Sequence, residues 1–295
     1  MKRRTYRKGG RFGEGAALLM LLPFLLGVSV FLLYPFGEAL YFSFFKGIDA
    51  PVFVGIENYR ALLSSPALGR AVVNTFFFLL IAIPAVLFLP LATAYALRRN
   101  ARTEAFFRRS ISLAVVMPSA SLMLVSELLF SHRGLFSKAV AVLVNRPELN
   151  LYETDFAFFL LILLYLFRYG GIHYLIAAYS LSRIPKEYEE EAAILGAGAW
   201  RRFFHITLPL LTPMLLVTAL LALVNSYKIY REAYLVGGEY PHESIYLLQH
   251  FINNNFRNMN YNRLCALSVL LVTAILLAAL FFAVLYALRK RRVYR

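Results

Sequence analysis

The chain has 295 residues, of which 60% are hydrophobic and only 16% charged, with 31 Lys+Arg against 16 Asp+Glu for a net charge of +15. A soluble domain usually carries about 25% charged residues. This balance, with 26 Phe, 19 Tyr and a single cysteine, excludes an ordinary soluble enzyme, a disordered chain, a disulfide scaffold and a cysteine-based metal site; it predicts an all-α polytopic membrane protein.

Four runs lack any Asp, Glu, Lys or Arg and are long enough to cross a bilayer: 15–37, 71–97, 203–227 and 264–288. Two more are interrupted once. The run 110–130 carries Glu127 near its end, and the run 156–181 carries Arg168 near its middle. These predict six transmembrane helices. The first run is longer than a signal-peptide core and has no small-residue cleavage pattern after it, which predicts a retained helix. Cys265 reads as a small apolar residue on the sixth span.

With the N-terminus inside, twenty of the 31 Lys and Arg fall on inner segments and ten on outer ones, Arg168 being the last. Bases accumulate on cytoplasmic loops, so both termini are expected in the cytoplasm, with basic tails at 1–14 and 289–295. The excess charge then serves topology and contact with anionic lipid, not a nucleic-acid face. Pro84, Pro90, Pro118, Pro209 and Pro213 lie within or at the start of spans. Each removes a backbone donor and favours a bend, as suits a bundle that opens around a cavity.

The inner loop 182–206 is the most informative stretch. From Ile184 to Pro209 it reads IPKEYEEEAAILGAGAWRRFFHITLP. Pro185 suits a first helical turn. Glu187, Glu189, Glu190 and Glu191 complement a helix N-terminus. Ala192, Ala193 and Leu195 extend the helix, and Gly196 allows a left-handed stop. A second short helix is expected from about Ala199. Trp200, Phe203 and Phe204 fall at i, i+3, i+4 and would share one face that anchors the loop at the membrane surface. A small alanine-rich helix held this way can fit a groove in a cytoplasmic protein.

This loop resembles that of the permease subunits of ATP-binding-cassette importers of the maltose-transporter type. Their signature runs Glu-Ala-Ala, three residues, Gly, nine residues, Ile, one residue, Leu-Pro. Gly196, followed after nine residues by Ile206, Thr207, Leu208 and Pro209, matches its second half without a gap. Aligned on these flanks the triplet is Glu190, Glu191, Ala192, while the literal Glu191-Ala192-Ala193 lies one residue out of register. The acid frequent before the glycine is Leu195 here. The coupling glutamate is therefore Glu190 or Glu191. Phe53 to Tyr59, Gly134-Leu135-Phe136, Tyr234 to Gly238 and Ser244 to Phe256 look like the family's external segments. The resemblance covers about residues 15–288, with a core at about 70–288.

The resemblance implies a type I importer permease fold and a place in a bacterial or archaeal inner membrane. It implies two cytoplasmic ATP-binding subunits, which would use ATP-Mg, a second related permease, and an extracellular or periplasmic solute-binding protein. No phosphate-binding Gly-x-x-x-x-Gly-Lys-Ser/Thr loop occurs in the chain, so it is expected to bind no cofactor and to hydrolyse no ATP itself. Glu190, Glu191, Ala192, Gly196 and Ala197 would form the coupling contact with an ATPase. Substrate contacts of related permeases fall on the fourth and fifth spans, near Tyr165, Arg168 and Asn225; Tyr169 and Lys228 lie beside them.

An intramembrane charge costs about 2.5–3.5 kcal/mol on insertion scales, so Arg168 should face protein or water. Glu127 is its candidate partner, and the pair is either structural or part of a binding site. Aromatic faces and polar tips suit a sugar, and Arg168 with Lys228 permits an acidic or phosphorylated one. An intramembrane enzyme would need a set such as H-E-x-x-H or Gly-x-Ser-x-Gly, and neither is present. The competing reading is a stand-alone carrier or channel, but such carriers often show paired repeats and this chain shows none.

Overall fold

A computed structural model describes residues 14–47, 50–145 and 149–293. Of the expected basic tails, 1–14 and 289–295, residues 1–13 and the last two lie outside the described residues. The chain is mostly helical and divides into two compact units, 1–65 with 255–295, and 66–254.

In the first unit, α1 (Glu14–Val28) and α2 (Tyr34–Phe42) are joined by a π-helical turn, Ser29–Leu33. The cause is Pro35. It has no N–H to give to the preceding turn and its ring crowds that turn's carbonyls, so the backbone widens before it. A two-residue antiparallel pair follows, β1 (Phe45–Lys46) and β2 (Val52–Phe53), with Phe45 opposite Phe53. After it comes α3 (Glu57–Leu63). Buried Asn58 ties this corner together: its Nδ2 donates to the carbonyls of Ser43 (2.9 Å) and Phe45 (2.8 Å).

In the second unit, α4 (Pro66–Leu97) runs unbroken through Pro84 and Pro90. The third expected span does break. Pro118 takes an extended conformation (φ −62°, ψ 144°) and separates α5 (Ala101–Val116) from α6 (Ser119–Phe130). α7 (Leu135–Val144) follows a tight turn at Gly134, where an added Cβ would lie 2.5 Å from the Leu129 backbone. Next come α8 (Ala157–Ser182), α9 (Lys186–Ile194) and α10 (Ala199–Arg202). A second π turn, Phe203–Thr207, precedes Pro209 as the first precedes Pro35. α11 (Leu208–Lys228) continues into α12 (Tyr230–Gly237), and α13 (Leu248–Arg257) crosses from this unit into the other. α14 (Tyr261–Val293) carries the sixth apolar run and extends past residue 288, where the run ends.

The core of the second unit forms where α4, α8 and α11 pack on one another. Phe78, Ala82, Val86, Tyr165 and Ala222 are buried together near its middle, and Leu91, Ala94, Tyr174, Ala177 and Leu211 near the loop end. The alanines allow close helix approach, as small residues do between membrane helices. Elsewhere apolar side chains point outward: Phe76, Leu80, Phe88, Leu163 and Leu216 are all exposed. Outward apolar faces over long helices are what a lipid environment demands. Among the described residues, four helices are long and apolar enough to cross a membrane: 19–42, 66–97, 157–182 and 199–237.

Candidate functional site

The loop helix α9 carries the first group of candidate residues. Its end is a Schellman turn. Gly196 has φ +80°, its N–H donates to Ala193 O (3.0 Å), and the Ala197 N–H donates to Ala192 O (2.9 Å). A residue with a Cβ would pay about 1–2 kcal/mol to hold that conformation. Nothing lies within 4 Å of where a Gly196 Cβ would be, so the surface there is open. Glu190, Glu191 and Gly196 are exposed, and Ala192 and Ala197 are half-buried. Ile194 and Leu195 stand 86% and 87% exposed beside them. The helix therefore presents an apolar tip flanked by acids.

What fixes this helix is a residue the sequence does not distinguish from its neighbours. Glu189 forms an ion pair with Arg98 at the end of α4. Its Oε1 accepts from Thr207 Oγ1 at 3.0 Å, and its carbonyl accepts from Arg202 at 3.4 Å. Burial pushes the Glu189 carboxyl up. The hydrogen bonds from Arg98 and Thr207, with the charges of Arg98 and Arg202, outweigh that and hold it below the usual carboxylate range. Arg98 also lies 4.0 Å over the Tyr95 ring. One carboxylate thus joins α9 to the end of α4 and to the turn that opens α11. Beneath α9 a cleft of about 580 Å³ is lined by Arg99, Arg108, Lys186 and Glu190, among others.

The aromatic anchor is arranged differently from its expected single face. Phe203 packs inward, edge-on to Tyr95 with centroids 4.8 Å apart. Trp200 and Phe204 stack on each other and remain exposed. The π turn begins at Phe203, and its wider spacing breaks the i, i+3, i+4 alignment that a regular helix would give.

The second group lies about 20 Å along α8 from the loop, at 1.5 Å per residue. A cavity of about 380 Å³ is lined by Arg168, Tyr169, Lys228, Arg231, Glu232 and Gln249, with Tyr227 and Tyr230. Three of the five expected contacts, Arg168, Tyr169 and Lys228, come together here. Tyr165 does not: it is fully buried, and its hydroxyl donates to the Ala222 carbonyl at 2.7 Å, where it joins α8 to α11. Asn225 is buried outside this lining. Glu127 does not serve Arg168, because no ion pair joins them among the described residues. Arg168 instead faces the cavity wall with its guanidinium 5.7 Å from the Tyr169 ring centroid. Among the described residues, no group of three His, Cys, Asp or Glu could hold a metal ion.

Residues 52–295 match the family of binding-protein-dependent transport system inner membrane components. The chain belongs to this family. It is the permease subunit of an ATP-binding-cassette importer, a transport component whose ATPase resides on separate subunits, and not an enzyme. The permease is 30% identical over 236 residues to the arabinooligosaccharides transport system permease protein AraP of Bacillus subtilis, covering 76% of this chain and 72% of AraP. It is 27% identical over 289 residues to the lactose transport system permease protein LacF of Rhizobium radiobacter, covering 96% and 97%. Its fold is that of a chain in a bacterial ABC transporter involved in the import of the acidic polysaccharide alginate, with a TM-score of 0.73, 15% identity and coverage of 90% and 92%. A type I importer permease fold and a multi-pass membrane protein are thereby established.

Proposed function

We propose that this permease forms, with a second related permease, the path by which a sugar or oligosaccharide crosses a bacterial or archaeal inner membrane. The saccharide class is supported by relatives named for arabinooligosaccharides and lactose, the latter aligned along nearly its whole length. An external binding protein delivers the sugar, and two cytoplasmic subunits hydrolyse ATP-Mg. Six spans leave both termini in the cytoplasm, the third of them bent at Pro118.

The observation that carries this reading is α9, a short, rigidly capped helix with an open apolar tip and exposed acids. It docks in a cleft of one ATPase. Glu190, Glu191, Ala192, Gly196 and Ala197 form the contact, and closure of the ATPase pair moves α4 and α11 through the Glu189 junction. That is a two-state element biased by a nucleotide-driven partner. Leu195→Cys in a Cys265→Ser background tests the orientation. The introduced thiol should react with a membrane-impermeant reagent in inside-out vesicles and not in intact cells. Labelling from outside intact cells, or failure of any ATPase to co-purify with the permease, would overturn the assignment.

A further inference from the structure

The 380 Å³ cavity has a composition that narrows the cargo. Arg168, Lys228 and Arg231 contribute three cations to its wall, and Glu232 one acid. Glu232 is 1% exposed, and its Oε2 has no hydrogen-bond partner. The Nε of Arg168 is likewise buried without a partner. An ion pair built only for stability would satisfy these two groups with each other, yet none joins them among the described residues. A buried charge left unpaired is costly; Glu232 bears that cost as a buried carboxylate and the half-buried Arg168 at its Nε, so both groups call for complementary atoms from something that enters the cavity.

The required chemistry is double. Arg168, with Lys228 and Arg231, asks for an anion. Glu232, an acceptor only when ionised, asks for hydroxyl or amine donors. A bare sulfate ion meets the cations but offers Glu232 no hydrogen-bond donor. A neutral sugar meets Glu232 and leaves the cations unanswered. A polyamine has the wrong sign for three of the four charges. A uronic acid carries a carboxylate and several hydroxyls on one ring, and its apolar C–H surface suits the Tyr169 face.

We propose that this cavity is a subsite for a uronic-acid unit of the transported saccharide, with the carboxylate toward Arg168, Lys228 and Arg231 and ring hydroxyls donating to Glu232. This rests on the reading of the chain as a saccharide importer permease and names the substrate class of that site.

The test uses the full complex, with its ATPases, partner permease and binding protein, in proteoliposomes. The probes are oligogalacturonides and oligomannuronides of two to four units and their carboxyl-reduced neutral counterparts. ATPase stimulation and uptake should follow a uronide and not its reduced form. Glu232→Gln and Arg168→Ala should each cut uronide uptake about tenfold, the scale of a lost hydrogen bond to a charged group. Lys228→Met, at an exposed side chain, should raise the half-saturating uronide concentration about threefold and covers the case in which the buried variants fail to assemble. Uptake of neutral sugars alone would overturn the subsite and leave the saccharide reading standing. Response to neither class would overturn both. Uronide uptake unchanged in the assembled Glu232→Gln complex, or in Lys228→Met where the buried variants do not assemble, would remove the cavity from recognition.

Discussion

The two ends of the second unit hold their acids in opposite ways. At the loop end, Glu189 meets Arg98, Thr207 and Arg202, and its carboxylate is fully engaged. At the cavity end, Glu232 is buried and Arg168 half-buried, and each has a buried polar atom that finds no partner. A satisfied network rigidifies what it joins, whereas unsatisfied groups are held ready for something else. The loop end is thus built to transmit motion and the cavity end to receive a guest. In an importer driven from one side and loaded from the other, both properties are needed, and they need to be kept apart.

The largest effect expected from disturbing this division comes from Gly196. Gly196→Leu places a β-carbon at φ +80° and a bulky side chain on the open docking surface. The strain is about 1–2 kcal/mol, too little to unfold the protein, but the contact with the ATPase should be lost. Uptake should fall to background while the permease remains at normal levels in the membrane, as read by immunoblot of membrane fractions. Gly196→Ala separates the two causes, since it adds the strain with almost no bulk. If Gly196→Ala is as damaging as Gly196→Leu, the backbone turn matters and the open surface does not.

A somewhat smaller effect should follow at the glutamates, and it distinguishes transmission from docking. Glu189→Ala removes an ion pair and a hydrogen bond to a half-buried carboxylate, about 1–3 kcal/mol. ATP hydrolysis should continue but lose its dependence on substrate, because α9 would still dock without moving α4. Glu190→Lys and Glu191→Lys should instead weaken co-purification of the ATPase, and the more damaging of the two marks the residue that pairs with it. Loss of the ATPase from Glu189→Ala at the level seen with those two would mean that Glu189 itself docks.

How much of this could be read from the residues depends on how local the cause is. Three of the four long apolar helices were visible as uncharged runs and the fourth, 157–182, as a run broken by Arg168; Gly196 was visible as a helix stop, and all of these follow from a few adjacent side chains. The same holds for the match of Gly196 to Leu208-Pro209. Glu189 was not visible: it stands in a row with Glu190 and Glu191, and only the fold brings Arg98, 91 residues away, to one of them. Tyr165 and Asn225 have the residue types that suit a sugar, yet α8 and α11 turn them inward, and the Tyr165 hydroxyl donates to Ala222. Glu232 left a faint trace. It lies three residues after Ile229 and one before Ala233, both buried, so helical spacing places it on the inward face. An acid at such a position deserved the same suspicion as Arg168.

The smallest predicted effect concerns acid, and it sets the two ends against each other. His250 lies in α13 beside Gln249 of the cavity wall. It is fully buried between the rings of Tyr230 and Tyr246, and its Nδ1 accepts from the Leu247 N–H at 3.1 Å. Burial pushes its pKa down from 6.5 to about 4. The unfolded chain therefore binds a proton there more readily than the folded one between these values. The contribution of neutral His250 is complete above pH 6.5 and is lost as the pH falls toward 4, amounting to at most about 3 kcal/mol. The Glu189 carboxyl, held low, behaves in a lower window: its contribution is present above its ordinary value of 4.5 and is lost as the pH falls through its depressed one. On acidification from pH 7 to 5, α13 should loosen while α9 stays in place. Hydrogen exchange of the intact complex, referred to the intrinsic rate at each pH, should show lower protection at 248–254 and unchanged protection at 186–194, and His250→Gln should flatten that dependence. Equal loosening of both segments would mean that the acid response belongs to the assembly as a whole and not to the histidine at the cavity end.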